Sequence, residues 1–177
     1  MAKLVEKHGG YKKLRSYIVS LQIYDGTSYF CDRFISKRSR THDQMVQAAR
    51  SGVQNIAEGS LASATSKKIE IKLTNVAKAS LGELLLDYES YLRQHGFEQW
   101  DKDHPKALKV RNARPDTVNW KLFDNRSDAE LANIMICLIN QASFLLWKQI
   151  QFLEKKFLRE GGFTEKMYAS RKQARGY

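Results

Sequence analysis

Proline occurs only at positions 105 and 115 of the 177 residues. Its ring locks φ and removes a backbone donor, so it breaks a helix wherever it falls in the interior. The long segments on either side of that window are therefore free to be continuous helix. So few prolines, with a modest glycine count, argue against an all-β sandwich with many turns. The length suits one domain built around a single core.

Periodicity predicts four long helices. The first spans roughly 11–35, with Leu14, Ile18, Leu21, Cys31 and Ile35 on three- and four-residue steps, and Gly26 marks a kink or a close helix contact. The basic stretch 36–40 reads as a turn. The second helix opens at Thr41, whose spacing to Gln44 fits a capping box, and stops at Gly59. Small residues on its inner side, Ala48, Ala49, Gly52 and Ala57, invite a neighbouring helix to come close. The third runs from Ser66 to about His95, stopped by Gly96, which makes it about 45 Å long. The fourth opens with the S-x-x-E box Ser127 to Glu130 and ends at Gly161-Gly162. Residues 100–126 break the pattern and read as an ordered excursion, because Trp100, Leu108, Val110, Trp120 and Phe123 need somewhere to bury. One further basic helix is expected after Thr164.

The fourth helix is apolar on two sides. Leu131, Met135, Leu138, Ala142, Leu146 and Leu153 form one stripe, while Ile136, Phe144 and Trp147 fall nearly opposite at roughly 100° per residue. A helix in a lone bundle should be polar there, so either the 100–126 excursion or a second subunit covers that face. Ile136, Phe144 and Trp147 are the candidate oligomer interface.

Catalytic patterns are missing. His8, His42, His95 and His104 lack metal-ligand spacing, and Asp101-Lys102-Asp103-His104 reads as a solvated charge run. No dinucleotide-binding, P-loop or nucleophile-elbow motif occurs. Asn55 and Glu58 share one face, where capping and hydrogen bonding between helices explain them. No catalytic, cofactor or metal residue is assigned, and no enzymatic activity is expected. Cys31 and Cys137 have no C-x-x-C spacing and read as buried free thiols suited to a reducing cytoplasm. The start, Met1 to Lys7, holds no signal-peptide core. Asn133, Asn140, Gln141 and Ser143 interrupt the most apolar window, 131–146, which argues against a membrane span.

Charge gives the positive signal. The chain carries 30 Lys and Arg against 19 Asp and Glu, a formal +11. The surplus is +5 over residues 1–98, +3 over 99–126 and +3 over 127–177, so no single tail holds it. With 42% hydrophobic residues the chain is no disordered polycation. Clusters stand at Lys12, Lys13 and Arg15, at Lys37, Arg38 and Arg40, at Lys67 and Lys68, and at Arg171, Lys172 and Arg175. These are the candidate nucleic-acid contacts, acting on RNA or DNA through phosphate and counterion release rather than base readout. The alternative is a protein-interaction scaffold that docks a partner through the apolar insertion around Trp100 and Trp120.

The run Asn55-Ile56-Ala57-Glu58-Gly59-Ser60, followed by the apolar stretch 69–92 with Ala79-Ser80-Leu81-Gly82-Glu83-Leu84, resembles the bacterial four-helix-bundle family. That family is also known as the rRNA intervening-sequence protein family. The match covers about residues 41–95, with Val53 and Gln54 where many members carry a proline. The insertion and basic tail look like a subgroup with a C-terminal suffix. The resemblance implies an all-α, up-and-down antiparallel four-helix bundle over residues 1–160, with an insertion at about 99–126 and a suffix over 161–177. It also implies a homopentameric ring without enzymatic activity, in which Asn55 to Ser60 define the fold. A relative, the accessory variability determinant of diversity-generating retroelements, extends the implication to a reverse transcriptase partner and nucleic acid.

Overall fold

A computed structural model describes residues 9–175, and every regular element in them is helical. The N-terminal segment, including Met1 to Lys7 and His8, and the last two residues lie outside the described residues. A 3-10 turn, Gly10–Lys13, precedes α1 (Arg15–Phe34), α2 (Arg40–Ala62), α3 (Lys67–Gln94), α4 (Pro105–Ala113), α5 (Asp128–Glu160) and α6 (Phe163–Ala174), with a second 3-10 turn at Trp120–Phe123.

Local chemistry explains most boundaries. Ser66 and Ser127 cap α3 and α5, each side-chain oxygen accepting from the backbone N–H three residues on, at 3.2 Å. At the end of α3, Gly96 takes φ 69° and the Phe97 N–H reaches the Leu92 carbonyl (2.9 Å). This closure satisfies carbonyls that the last helical turn leaves open. Gly161, at φ 68°, ends α5. Pro105 sits in the first turn of α4, where its missing N–H costs nothing.

Three boundaries correct the sequence expectation. Tyr11 to Lys13 belong to the 3-10 turn, and extended Leu14 separates them from α1. The cap of α2 is Ser39, which accepts from the Thr41 N–H (3.2 Å), two residues before the expected Thr41 box. Gly59 does not stop α2, which continues to Ala62. It is buried instead, and a Cβ there would lie 3.3 Å from the Glu70 carbonyl oxygen and from Leu73 Cβ. Glycine is present because α3 passes so closely, not because the chain turns left-handed.

Helices α1 and α3 each pack against both α2 and α5, and α4 lies on α5. The core between them is apolar and close-packed, with Ile23, Met45, Ile56, Leu84, Met135 and Leu146 all 1% exposed or less. Aromatic contacts join the end of α1, the end of α3 and the start of α5. The Phe30 ring meets Tyr88 at 5.0 Å and Tyr91 at 5.1 Å, and the Tyr91 hydroxyl donates to Asp128 (2.8 Å). Far from there, the α2–α3 turn (residues 63–67) shares a recess with Gly161, Phe163 and Lys166, so α6 starts beside it. The helical stretch Asp128–Ala174 includes an 18-residue window of mean hydropathy 1.5, half of it buried within the protein.

The 100–126 excursion is ordered, as expected. Trp120 is 7% exposed and lies against Gly26 of α1, which explains the glycine. Polar bonds hold the same segment down: Arg15 to Asp116 (3.0 Å), Gln22 to the Pro115 carbonyl (2.6 Å), and Tyr29 to Asp124 (2.5 Å). On α5, buried Asn133 accepts from the Trp100 N–H (2.8 Å) and donates to the Glu98 carbonyl (2.9 Å). A polar residue inside the most apolar run is there to anchor the loop.

Candidate nucleic-acid interface

The basic clusters separate into cations used by the fold and cations left open. Arg15 is spent on the insertion, donating to Asp116 and to the Pro115 carbonyl (3.3 Å). Lys67 pairs with Glu70 at 3.4 Å, its side chain only 18% exposed. Lys37 lies 3.6 Å from Asp32, an ion pair exposed enough to be weak. By contrast Lys12, Lys13, Arg38, Arg40, Lys68, Arg171, Lys172 and Arg175 are exposed. None of these eight has an ion pair with a described carboxylate. Lys68 Nζ lies 6.0 Å from the Phe157 ring centre, which sets it beside the end of α5.

Position divides the open cations into two groups. The turn carrying Lys12 and Lys13 packs on α2, with Gly9 close to Leu61 near the end of that helix. Lys68 opens α3 just beyond, and α6, which carries Arg171 and Lys172 and is followed by Arg175, begins beside the same turn. Arg38 lies instead in the connection from α1 to α2 and Arg40 opens α2, away from that group.

The family-like run is built into the packing. Ile56 and Gly59 are buried, whereas Glu58 is exposed. Asn55 donates to the Ser51 carbonyl (2.9 Å) and to Ser51 Oγ (3.1 Å), and Ser51 Oγ meets Ser80 Oγ across to α3 at 2.9 Å. Ala57 is partly buried, and the Ser60 carbonyl accepts from Ser63 Oγ (2.7 Å). Asn55 therefore braces Ser51 within α2, Ser51 makes the bond across to α3, and Glu58 does not join them in a polar site.

The second apolar side of α5 has two fates. Ile136 is 3% exposed and faces Trp100, Ala107 and Arg111 of the insertion, so it is no oligomer contact: α4 already covers it. Phe144 and Trp147 emerge beyond that cover, 54% and 41% exposed, with ring centres 5.9 Å apart and Lys148 Nζ 5.1 Å from the Phe144 ring. Trp120 is enclosed and Trp100 is stacked on His104 (5.1 Å), so neither indole stands out as a free docking knob. His104 also caps α4, accepting from the Lys106 N–H (3.2 Å), and Asp101 accepts from the Asp103 N–H (2.8 Å). The charge run is a structured turn.

Two grooves flank α4. One, of about 590 Å³, lies over Ile136 and Cys137. The other, of about 680 Å³, is lined by Arg15, Arg111, Arg114, Asn112, Gln141 and Phe144, among others, and no carboxylate is in its lining. Sequence reasoning missed Arg111 and Arg114. The basic excess of 99–126 was the available signal, but its meeting with Phe144 depends on how α4 lies across α5.

Titratable groups are displaced chiefly by burial. Burial, with small additions from Asp32 and Asp87, pushes the Cys31 thiol up to about 12. Burial and then Glu83 raise the Asp87 carboxyl, and burial followed by the Asp128 hydrogen bond raises the Tyr91 hydroxyl. Both cysteines are free thiols, Cys31 buried and Cys137 partly so. Among the described residues no three His, Cys, Asp or Glu side chains come close enough to share a metal ion.

No family model, curated protein or solved structure matches this chain. The open cations and the groove beside α4 therefore have to speak for themselves. Their chemistry suits a polyanion: guanidinium groups chelate phosphate oxygens, and lysines act as point charges.

Proposed function

We propose that this chain is a non-enzymatic, self-associating helical protein that binds nucleic acid through its phosphates. One observation carries the reading: eight of the candidate cations are exposed without an ion-pair partner, six of them on the elements that meet at or start from the α2–α3 turn. Open cations attract a polyanion over a Debye length and release its counterions on contact. Such binding is governed by charge and shape.

Charge exchange tests it. Replacing Lys12, Lys13, Lys68, Arg171, Lys172 and Arg175 by glutamine should weaken binding to RNA and DNA alike and flatten the log Kd against log salt line, while the circular dichroism melt stays unchanged. Negligible binding at low salt, or binding indifferent to salt, refutes the proposal.

We further read α1, α2, α3 and α5 as an up-and-down four-helix bundle akin to the bacterial four-helix-bundle family. The packing of α1 and α3 on both α2 and α5, the short connections on either side of α2, and the Asn55–Ser60 run support this. Self-association, a homopentameric ring by that kinship, would use the uncovered part of α5 around Trp147 and Leu158, which are 41% and 84% exposed. A reverse transcriptase is the partner that the same kinship suggests.

A further inference from the structure

The groove of about 680 Å³ between α1, α4 and α5 gathers more positive charge than the fold pairs with acid. Arginines 15, 111 and 114 line it with two amides, Asn112 and Gln141, and no carboxylate. The nearest acid the structure ties to them is Asp116, which occupies one edge of Arg15. Arg111 spends one N–H on the Lys102 carbonyl, and Arg114 is exposed. Neither Arg111 nor Arg114 has an ion pair with a described carboxylate. At the mouth stands Phe144, more than half exposed, backed by Trp147 in a stacked arrangement and flanked by the Lys148 ammonium. An exposed aromatic ring such as Phe144 costs solvation, and a cluster of like charges costs repulsion. One ligand relieves both costs.

We infer that this groove binds single-stranded nucleic acid, with Phe144 stacking an unpaired base while Arg111, Arg114 and Lys148 take the flanking phosphates. The inference rests on the nucleic-acid reading above and narrows it to a strand class. Charge complementarity selects an anion, and the aromatic selects one with an accessible π-face. A paired base hides that face inside the stack, so a duplex can meet the arginines but not Phe144.

The test uses the full chain and fluorescence anisotropy of a labelled 20-nucleotide oligo(dT) and oligo(U), beside a labelled 20-base-pair duplex, across a salt series. The wild type should bind the single strands more tightly than the duplex. Phe144→Leu, which keeps an apolar side chain without a π-face, should weaken single-strand binding about tenfold. It should leave duplex binding unchanged, and Phe144→Trp should restore the single-strand affinity. Arg111→Gln with Arg114→Gln should lower the single-strand salt slope by about 1.4, that is about 0.7 for each phosphate no longer neutralised. Phe152→Leu, exposed on the same helix but outside the groove lining, is the control and should change nothing.

Equal affinity for strand and duplex, with no effect of Phe144→Leu, overturns the groove while leaving phosphate binding elsewhere intact. No binding to any of the probes overturns both readings. Full displacement of the strand by millimolar adenosine monophosphate would show a mononucleotide pocket and overturn the strand assignment. All variants should melt with the wild type, because each altered side chain is at least partly exposed.

Discussion

Gly26→Ala pits two well-known effects against each other with opposite signs. In an exposed helix the change stabilises by about 1 kcal/mol, because alanine loses less backbone entropy. Here the added methyl would lie 2.5 Å from Trp120 Cζ2, 2.8 Å from Trp120 Cε2 and 2.8 Å from Met135 Sδ. Both neighbours are buried, and the indole is rigid. Overpacking of this kind costs about 1–3 kcal/mol when the surroundings yield. If the indole is expelled instead, the loss is larger, since a tryptophan buries about 150–250 Å² at about 25 cal/mol per Å². The overpacking side wins, and Gly26→Ala should be destabilising by about 1 kcal/mol net, a fall of about 2–4 °C in Tm for a chain of this size. Thermal melts followed by circular dichroism measure it, and limited proteolysis between residues 114 and 126 reports whether the insertion lifts. The decisive comparison is the same change in a Trp120→Ala background. With the indole gone the helix propensity is unopposed by it, so Gly26→Ala should become neutral or stabilising. A Gly26→Ala protein more stable than wild type, or an equal penalty in both backgrounds, would refute the contact as the reason for the glycine.

Gly59→Ala should also destabilise, by about 1 kcal/mol, because its Cβ meets backbone at the Glu70 carbonyl and a backbone carbonyl cannot rotate away; a raised Tm would sink this account. Alkaline pH should unfold the protein early. The folded state holds the Cys31 thiol protonated up to about 12, whereas the unfolded chain releases that proton near its ordinary value. The unfolded state then binds fewer protons, so stability is full below about pH 9 and falls as pH rises toward 12. Urea midpoints measured across that range should drop, and Cys31→Ala should make the decline shallower; an identical slope would remove Cys31 as its source. Trp147→Glu should leave the melt of the monomer nearly unchanged and lower the mass seen by light scattering. A wild-type mass near 20 kDa would dispose of self-association.

Much of the fold is legible in the residues themselves. The proline-free stretches, the serines at 66 and 127 and the glycines at 96 and 161 mark helices and their ends, because capping and left-handed closure are chemistry of one or two neighbouring residues. The excess of lysine and arginine is likewise a property of composition. Gly59 shows where local reading stops. As a sequence signal it resembles a helix stop, yet its role is set by α3 passing 3.3 Å from where a Cβ would lie.

The candidate site belongs to the same second category. Arg15, Lys67 and Lys12 are equivalent as letters, but Asp116 and Glu70 are close enough to occupy the first two and not the third. Ile136 and Trp147 fall on the same side of α5, and only the placement of α4 makes one core and leaves the other at the surface. Arg111 and Arg114 lie some thirty positions before Phe144 in the chain, and the groove exists because α4 folds back on α5. Periodicity and charge are set residue by residue. Which cations stay open, and which aromatic they stand beside, depends on contacts between distant segments, and only tertiary packing decides those.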